Sequence, residues 1–197
     1  MSWTRKDLLG LAELSAAEIE LILDGAARAK REFLDGRQLD DLKGRTLAFI
    51  FTEPSTRTKS SFEVAASRLG ASVLGFAVSQ SSVLKGESLT DTLKNLQSMG
   101  VDIFVIRHEL SGAPHQVAAS VTAHILNAGD GAHEHPTQAL LDCFTIREKL
   151  GRLAGLKVVI LGDILHSRVA RSNLWALRKL KAKVTVCGPA TLVPAAF

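Results

Sequence analysis

Glu53-Pro54-Ser55-Thr56-Arg57-Thr58-Lys59-Ser60-Ser61-Phe62 stands between two segments of different periodicity. Before it, Thr46-Leu47-Ala48-Phe49-Ile50-Phe51 is a short, almost continuous apolar run, the pattern of a buried strand. After it, apolar residues recur at Phe62, Ala65, Ala66 and Leu69, the i, i+3, i+4, i+7 series of a helix. Pro54 and Ser55 mark the helix start, with Ser55 as its N-cap. Three hydroxyls and an arginine therefore crowd the first turn of a helix that follows a strand. Unpaired backbone N–H groups and the positive end of the helix dipole already favour an anion at such a place. The Ser55, Thr56 and Thr58 hydroxyls and the Arg57 guanidinium turn it into a phosphate cradle without a glycine-rich loop. The plainer alternative is a capped helix with a polar surface; the density of donors favours the phosphate site.

The strand–helix alternation continues in both directions. Ser15 to Phe33 reads as an amphipathic helix with Ile19, Ile22, Leu23 and Ala26 on one face. Strand-like runs follow at 46–51, 72–76, 102–107, 124–127, 156–161 and 183–187. Helix-like runs cover 55–69, 88–99, 113–120, 136–150 and 168–180. Such alternation predicts an α/β fold with a parallel sheet flanked by helices, and ligands at the carboxyl ends of its strands. A boundary is expected near Arg147–Leu156, dividing a domain over 1–150 from an incomplete second, Rossmann-like α/β domain over 151–197. Two strands and one helix beyond that boundary are too few to close a sheet covered on both faces.

Hydrophobic residues make up 46% of the 197-residue chain, enough for a substantial core. No apolar run reaches the length of a membrane span, and Met1-Ser2-Trp3-Thr4-Arg5-Lys6-Asp7 lacks the apolar region of a signal peptide. Cys143 and Cys187 fall in a helix and a strand pattern and read as small core residues rather than a disulfide framework. A reducing cytoplasm is the expected compartment. The net charge of +4 is a mild excess, with no Lys/Arg tract and no interleaving of basic and aromatic residues, so nucleic acid is not an expected partner.

Five segments together carry a family resemblance. Ser55-Thr56-Arg57-Thr58 after a strand resembles the carbamoyl-phosphate signature of the aspartate/ornithine carbamoyltransferase family. Ser81-Ser82-Val83-Leu84-Lys85-Gly86-Glu87-Ser88 is similar to that family's mobile lysine loop, and Val105-Ile106-Arg107-His108 to its strand-end arginine. Asn127-Ala128-Gly129-Asp130-Gly131 with His135-Pro136-Thr137-Gln138 resembles its second signature. Gly162-Asp163-Ile164-Leu165-His166-Ser167-Arg168-Val169-Ala170-Arg171-Ser172 resembles its aspartate-type motif, with Leu165 where lysine is frequent.

The resemblance implies transfer of a carbamoyl group from carbamoyl phosphate to the amino group of L-aspartate, without metal or other cofactor. Lys85-Gly86-Glu87 favours aspartate over the alternative acceptor, ornithine. Ser55, Thr56, Arg57 and Thr58 would hold phosphate. Arg107 would share phosphate and carbonyl oxygen, His135 would donate to that oxygen, Gln138 would hold the carbamoyl amide, and Arg168 would bind an aspartate carboxylate. Ser81 and Lys85 would reach a neighbouring subunit's site, which implies a homotrimer with shared sites, with regulatory or pathway-enzyme subunits as further possible partners. Residues 1–150 would be the carbamoyl-phosphate domain and 151–197 part of the aspartate domain. Because the family's chains extend further, little activity is expected of these 197 residues alone, and an inert carbamoyl-phosphate-binding homologue is the remaining alternative. His133-Glu134-His135 suggests a metal site by itself, but no third ligand stands at a helical or hairpin spacing, so none is expected.

Overall fold

The structure is a computed structural model that describes residues 2–75 and 88–194. Six helices and six strands alternate after the first helix: α1 (Ala16–Leu34), β1 (Thr46–Phe51), α2 (Thr56–Arg68), β2 (Ser72–Leu74), α3 (Leu89–Ser98), β3 (Ile103–His108), α4 (Ala113–Ala118), β4 (His124–Asp130), α5 (Pro136–Leu150), β5 (Lys157–Leu161), α6 (Arg168–Lys179) and β6 (Lys183–Cys187). The first four strands form one sheet in the order β2-β1-β3-β4, and β5 and β6 form a second. Every pairing is parallel, with Phe49 opposite Val105 and Val105 opposite Leu126. The expected parallel sheet flanked by helices is the fold.

Parallel strands covered on both faces bury consecutive side chains, which explains the unbroken run Leu47–Ile50. On one face Ala48, Ile50, Phe104, Ile106 and Ile125 meet Leu93 and Leu96 of α3 and Val117 of α4. On the other, Leu47, Phe49 and Val105 meet Phe62 and Ala66 of α2. A third cluster joins Ile19 and Leu23 of α1, Ala139 and Cys143 of α5, and Ala176 and Leu177 of α6. Val158 of β5 and Val184 of β6 pack against this cluster, while Val159 and Leu161 on the opposite face of the small sheet are exposed.

Three expectations change in detail. The strand expected at 124–127 runs on to Asp130, because a bulge sets Ile106 opposite Asn127 but His108 opposite Asp130. Gly129, at φ +113°, lies in that bulge, and a strand interrupted by glycine reads locally as a loop. Ser55 occupies the N-cap position of α2 but makes no side-chain capping bond. Cys143 is buried as expected, and burial pushes its thiol up to about 12; Cys187 is exposed, because alternate residues of β6 lie on the uncovered face.

Residues 8–14 clasp the molecule together. The Leu8 N–H donates to Ile125 and its carbonyl accepts from Asn127, which covers the outer edge of β4. The fully buried Glu134 carboxylate accepts from Leu11 N (2.8 Å), Ala12 N (3.1 Å) and Ser172 Oγ (2.8 Å). From α6, Lys179 Nζ donates to the carbonyls of Leu11, Ala12 and Leu14. The segment is thus held through its amides by the residue before His135 and through its carbonyls by α6. Glu134→Ala leaves the buried Leu11 amide and Ser172 hydroxyl without their acceptor and should cost about 2–4 kcal/mol. Urea unfolding checks this as a lower midpoint at unchanged slope. Glu134→Gln, which keeps one acceptor oxygen, should lose roughly half as much.

Candidate active site

Seven of the expected site residues line one cleft of about 520 Å³ at the carboxyl ends of the strands. Ser55, Arg57 and Thr58 come from the start of α2, Arg107 from the end of β3, His135 and Gln138 from the start of α5, and Arg168 from the start of α6. Thr56, the first residue of α2, is exposed and outside the lining, so only its position in the helical turn supports the cradle. Ser81 and Lys85 lie outside the described residues. A groove of similar size beside the end of α1, lined by Phe33, Leu39 and Leu69, gathers none of these groups.

Helix α2 presents an uncompensated N-terminus. Its first turn holds no acidic residue, and the unused cap leaves the Ser55 hydroxyl available. Arg57 is exposed, and Thr58 is half-buried. Backbone donors, hydroxyls and a guanidinium therefore converge on one point of positive potential.

Opposite, two arginines share one carboxylate. Glu53 Oε2 is 3.1 Å from Arg107 Nη2 and 2.8 Å from Arg168 Nη2. Arg168 also donates to the Gly131 carbonyl at 3.1 Å, and Arg107 to that of Ala128 at 3.4 Å. Both guanidiniums press on Gly129, where an added Cβ would lie 3.0 Å from Arg168 Nε and 3.3 Å from Arg107 Nη1. Glycine is needed there for its positive φ and for this approach. Burial, then repulsion from Arg168, holds the Arg107 guanidinium below its ordinary value, against the opposing pull of Glu53. Arg107 Nε is buried with no hydrogen-bond partner among the described residues, an unmet donor in a cleft of donors.

His135 is buried, and its backbone N–H donates to Ser172 Oγ at 2.8 Å. Burial first, then the charges of Arg107 and Arg168, pushes its imidazolium from 6.5 down to about 4, so the ring is neutral at neutral pH. Thr137 Oγ1 lies 3.4 Å from His135 Nδ1; a hydroxyl donating there leaves the ring proton on Nε2. Gln138 Nε2 donates to Asp142 at 3.0 Å, and Asn173 holds the other Asp142 oxygen at 2.7 Å. This fixes the amide of Gln138 and leaves its oxygen as an acceptor. The three residues His133-Glu134-His135 go separate ways: His133 pairs with Asp130, Glu134 holds the residue 8–14 segment, and His135 lines the cleft. Glu53, Gly129, Glu134 and Ser172 were not among the expected site residues. All four lie inside stretches that the sequence singles out, but each acts through a partner distant in sequence that no local spacing indicates.

Hydroxyls, guanidiniums and an imidazole, gathered where a parallel sheet binds ligands, define a site for an anionic substrate. Residues 6–148 match the family described as aspartate/ornithine carbamoyltransferase, carbamoyl-P binding domain, and the chain belongs to that family. It is 58% identical over 196 residues to the aspartate carbamoyltransferase catalytic subunit of Moorella thermoacetica, covering 98% of this chain and 64% of the relative. It is 56% identical over 195 residues to the corresponding subunit of Heliobacterium modesticaldum, covering 98% and 62%. The fold matches Trypanosoma cruzi aspartate transcarbamoylase in complex with carbamoyl phosphate and aspartate at a TM-score of 0.89 and 37% identity, over 97% of this chain and 60% of that one. The chain thus spans a little over three-fifths of the length of the proteins it resembles. Among the described residues no helix is long and apolar enough to cross a membrane.

The buried neutral His135 makes stability depend on pH. Unfolded, it takes a proton near 6.5; folded, only near about 4. The unfolded chain binds the extra proton between those values, so stability falls as pH drops through that window, by up to about 3 kcal/mol. Urea midpoints of the native chain and His135→Gln across the window should converge toward acid, the variant lacking this part of the slope.

Proposed function

We propose that the chain carries the carbamoyl-phosphate site of an enzyme that transfers a carbamoyl group to the amino group of L-aspartate, giving N-carbamoyl-L-aspartate and phosphate. The convergence of Ser55, Arg57, Thr58, Arg107, His135, Gln138 and Arg168 on one cleft carries the reading. The first turn of α2, with the Ser55 and Thr58 hydroxyls and Arg57, grips the phosphate. Arg107 bridges phosphate and carbonyl oxygen, and its unmet Nε supports that role. The incoming anion exchanges with Glu53 for the guanidiniums it occupies. Neutral His135 donates a hydrogen bond to the carbonyl oxygen, which gains charge as the amine adds. Gln138 accepts from the carbamoyl NH₂, and Arg168 takes an aspartate carboxylate.

The neutral amine of aspartate attacks the carbonyl carbon, forming the C–N bond. The C–O bond to phosphate then breaks, the bridging oxygen leaves with phosphorus, and the amine proton passes to the departing phosphate. Nothing in this sequence calls for a metal or redox cofactor. The names of the relatives and the ligands of the T. cruzi structure support aspartate as acceptor. Residues 1–150 form the carbamoyl-phosphate domain and 151–197 contribute to the aspartate domain. The protein works as a homotrimer, the partner subunit's Ser81 and Lys85 completing each site, with the lysine ammonium neutralising the leaving phosphate.

Calorimetric titration with phosphonacetate, N-(phosphonacetyl)-L-aspartate and N-(phosphonacetyl)-L-ornithine tests the reading. All three should bind, and the aspartyl compound more tightly than phosphonacetate. Arg57→Ala should weaken each by about 2–3 kcal/mol through loss of a charge-assisted contact. Equal affinity of Arg57→Ala and the native chain would remove the α2 turn from the site, and tighter binding of the ornithyl compound would overturn the acceptor.

The shared site makes a further prediction. Lys85→Ala and Arg57→Ala, each built into a complete carbamoyltransferase chain, should regain activity when mixed, because a hybrid trimer can assemble a site from intact parts. Hybrids no more active than their parents, after verified subunit exchange, would contradict sharing.

A further inference from the structure

Behind the cleft, the loop between β4 and α5 meets α4. His115, Asp130 and His133 each offer one ligand atom there, and these atoms all lie within 4.8 Å of one another. The residues are 15 and 3 positions apart in sequence, and the bulged end of β4 brings them together.

The donor set is that of a transition-metal site: two imidazoles and one carboxylate. His133 Nδ1 stands 3.0 Å from Asp130 Oδ2. That spacing is within a few tenths of an ångström of the edge, about 3.3 Å, of a tetrahedron with zinc–ligand bonds of ordinary length. The His115 and His133 rings meet edge to face at 5.3 Å between centroids. His115 Nδ1 is buried with no hydrogen-bond partner among the described residues, while its Nε2 lies 3.5 Å from Glu13 Oε2. One nitrogen is thus left for a ligand, and the other faces a carboxylate, the arrangement that orients metal-bound histidines. Asp130 is fully buried and fixed by the amides of Gly112 (2.6 Å) and Glu134 (3.1 Å) and the side chain of Asn127 (2.9 Å). It is a preformed anchor. The two imidazole side chains are 33% and 40% exposed, so solvent reaches the cluster and water can supply a fourth ligand.

We propose that His115, Asp130 and His133 form a binding site for Zn²⁺, outside the cleft and independent of the transfer reaction. The ion takes Asp130 Oδ2, His133 Nδ1 and His115 Nδ1, and a small rotation of the two half-exposed rings closes the remaining distance. The ring proton of His133 moves to Nε2. Occupancy ties α4 to the loop that carries His135 and Gly131, whose carbonyl holds Arg168.

The test is isothermal titration of the full chain with ZnCl₂, supported by visible absorption on titration with CoCl₂. One equivalent should bind, and the Co²⁺ complex should show the intense bands of four-coordination. His115→Ala and His133→Ala should each weaken Zn²⁺ by more than the roughly tenfold cost of losing an outer-shell partner, with circular dichroism unchanged. Cys187→Ser and His166→Asn, which remove the exposed thiol and an exposed histidine elsewhere, should bind as the native chain does. Absence of a stoichiometric Zn²⁺ site, or equal affinity in the native chain and both histidine variants, would overturn the proposal. So would loss of binding in Cys187→Ser with retention in His115→Ala.

Discussion

The arrangement of the cleft depends on one buried carboxylate. Glu134 is held by two backbone amides and a serine hydroxyl. Ser172, which donates to it, also receives the backbone N–H of His135. One oxygen atom of α6 therefore sets both the carboxylate and the residue after it. Lys179, the last residue of the same helix, grips the segment whose amides Glu134 holds. The position of α6 relative to α5 follows from these bonds, and Arg168 stands at the start of α6. A buried carboxylate would be costly if any of its hydrogen bonds were lost, which makes the geometry stiff.

Within that frame the cleft is electrostatically unbalanced. Three guanidiniums and a helix N-terminus face one carboxylate, Glu53, which already serves two of them. Two arginines can stand this close only because an anion lies between them, and low polarity strengthens both repulsion and attraction. Burial, reinforced by the same field, keeps His135 neutral. A phosphate-sized anion meets these groups already in place. Gly129 belongs to this balance as well, since a side chain there would separate the guanidiniums from the strand end that positions them.

Much of this was legible in the sequence, for identifiable reasons. Strands buried on both faces announce themselves as apolar runs, and Leu47–Ile50 and Ile103–Ile106 did so. The amphipathic helix after Ser15 carries its own capping box with Glu18. The phosphate cradle was found because hydroxyls and an arginine crowd one helix start, and the family resemblance supplied Arg107, His135, Gln138 and Arg168; seven of these residues share the cleft. What escaped was relational. Glu53 and Arg168 are separated by 115 positions, so no local spacing pairs them. Cys187 looked like a core residue because a strand pattern cannot say that one face of its sheet is uncovered. The His133-Glu134-His135 triplet suggested shared ligation, yet a loop turns its three side chains in three directions. The ring that His133 meets, that of His115, lies on α4.

The clasp of residues 8–14 also orders events in time. Its bonds to Lys179 span 165 to 168 positions, and those to Glu134 span 122 and 123. During synthesis this segment is made long before its partners exist. Its full set of bonds along β4, Glu134 and Lys179 cannot form until α6 has left the ribosome. Contacts of such sequence separation form late because loop closure opposes them until much else is in place. The emerging chain therefore passes through a period in which a parallel sheet is assembled and its closing strip is not yet fully held, the interval in which a holdase chaperone would have most to do.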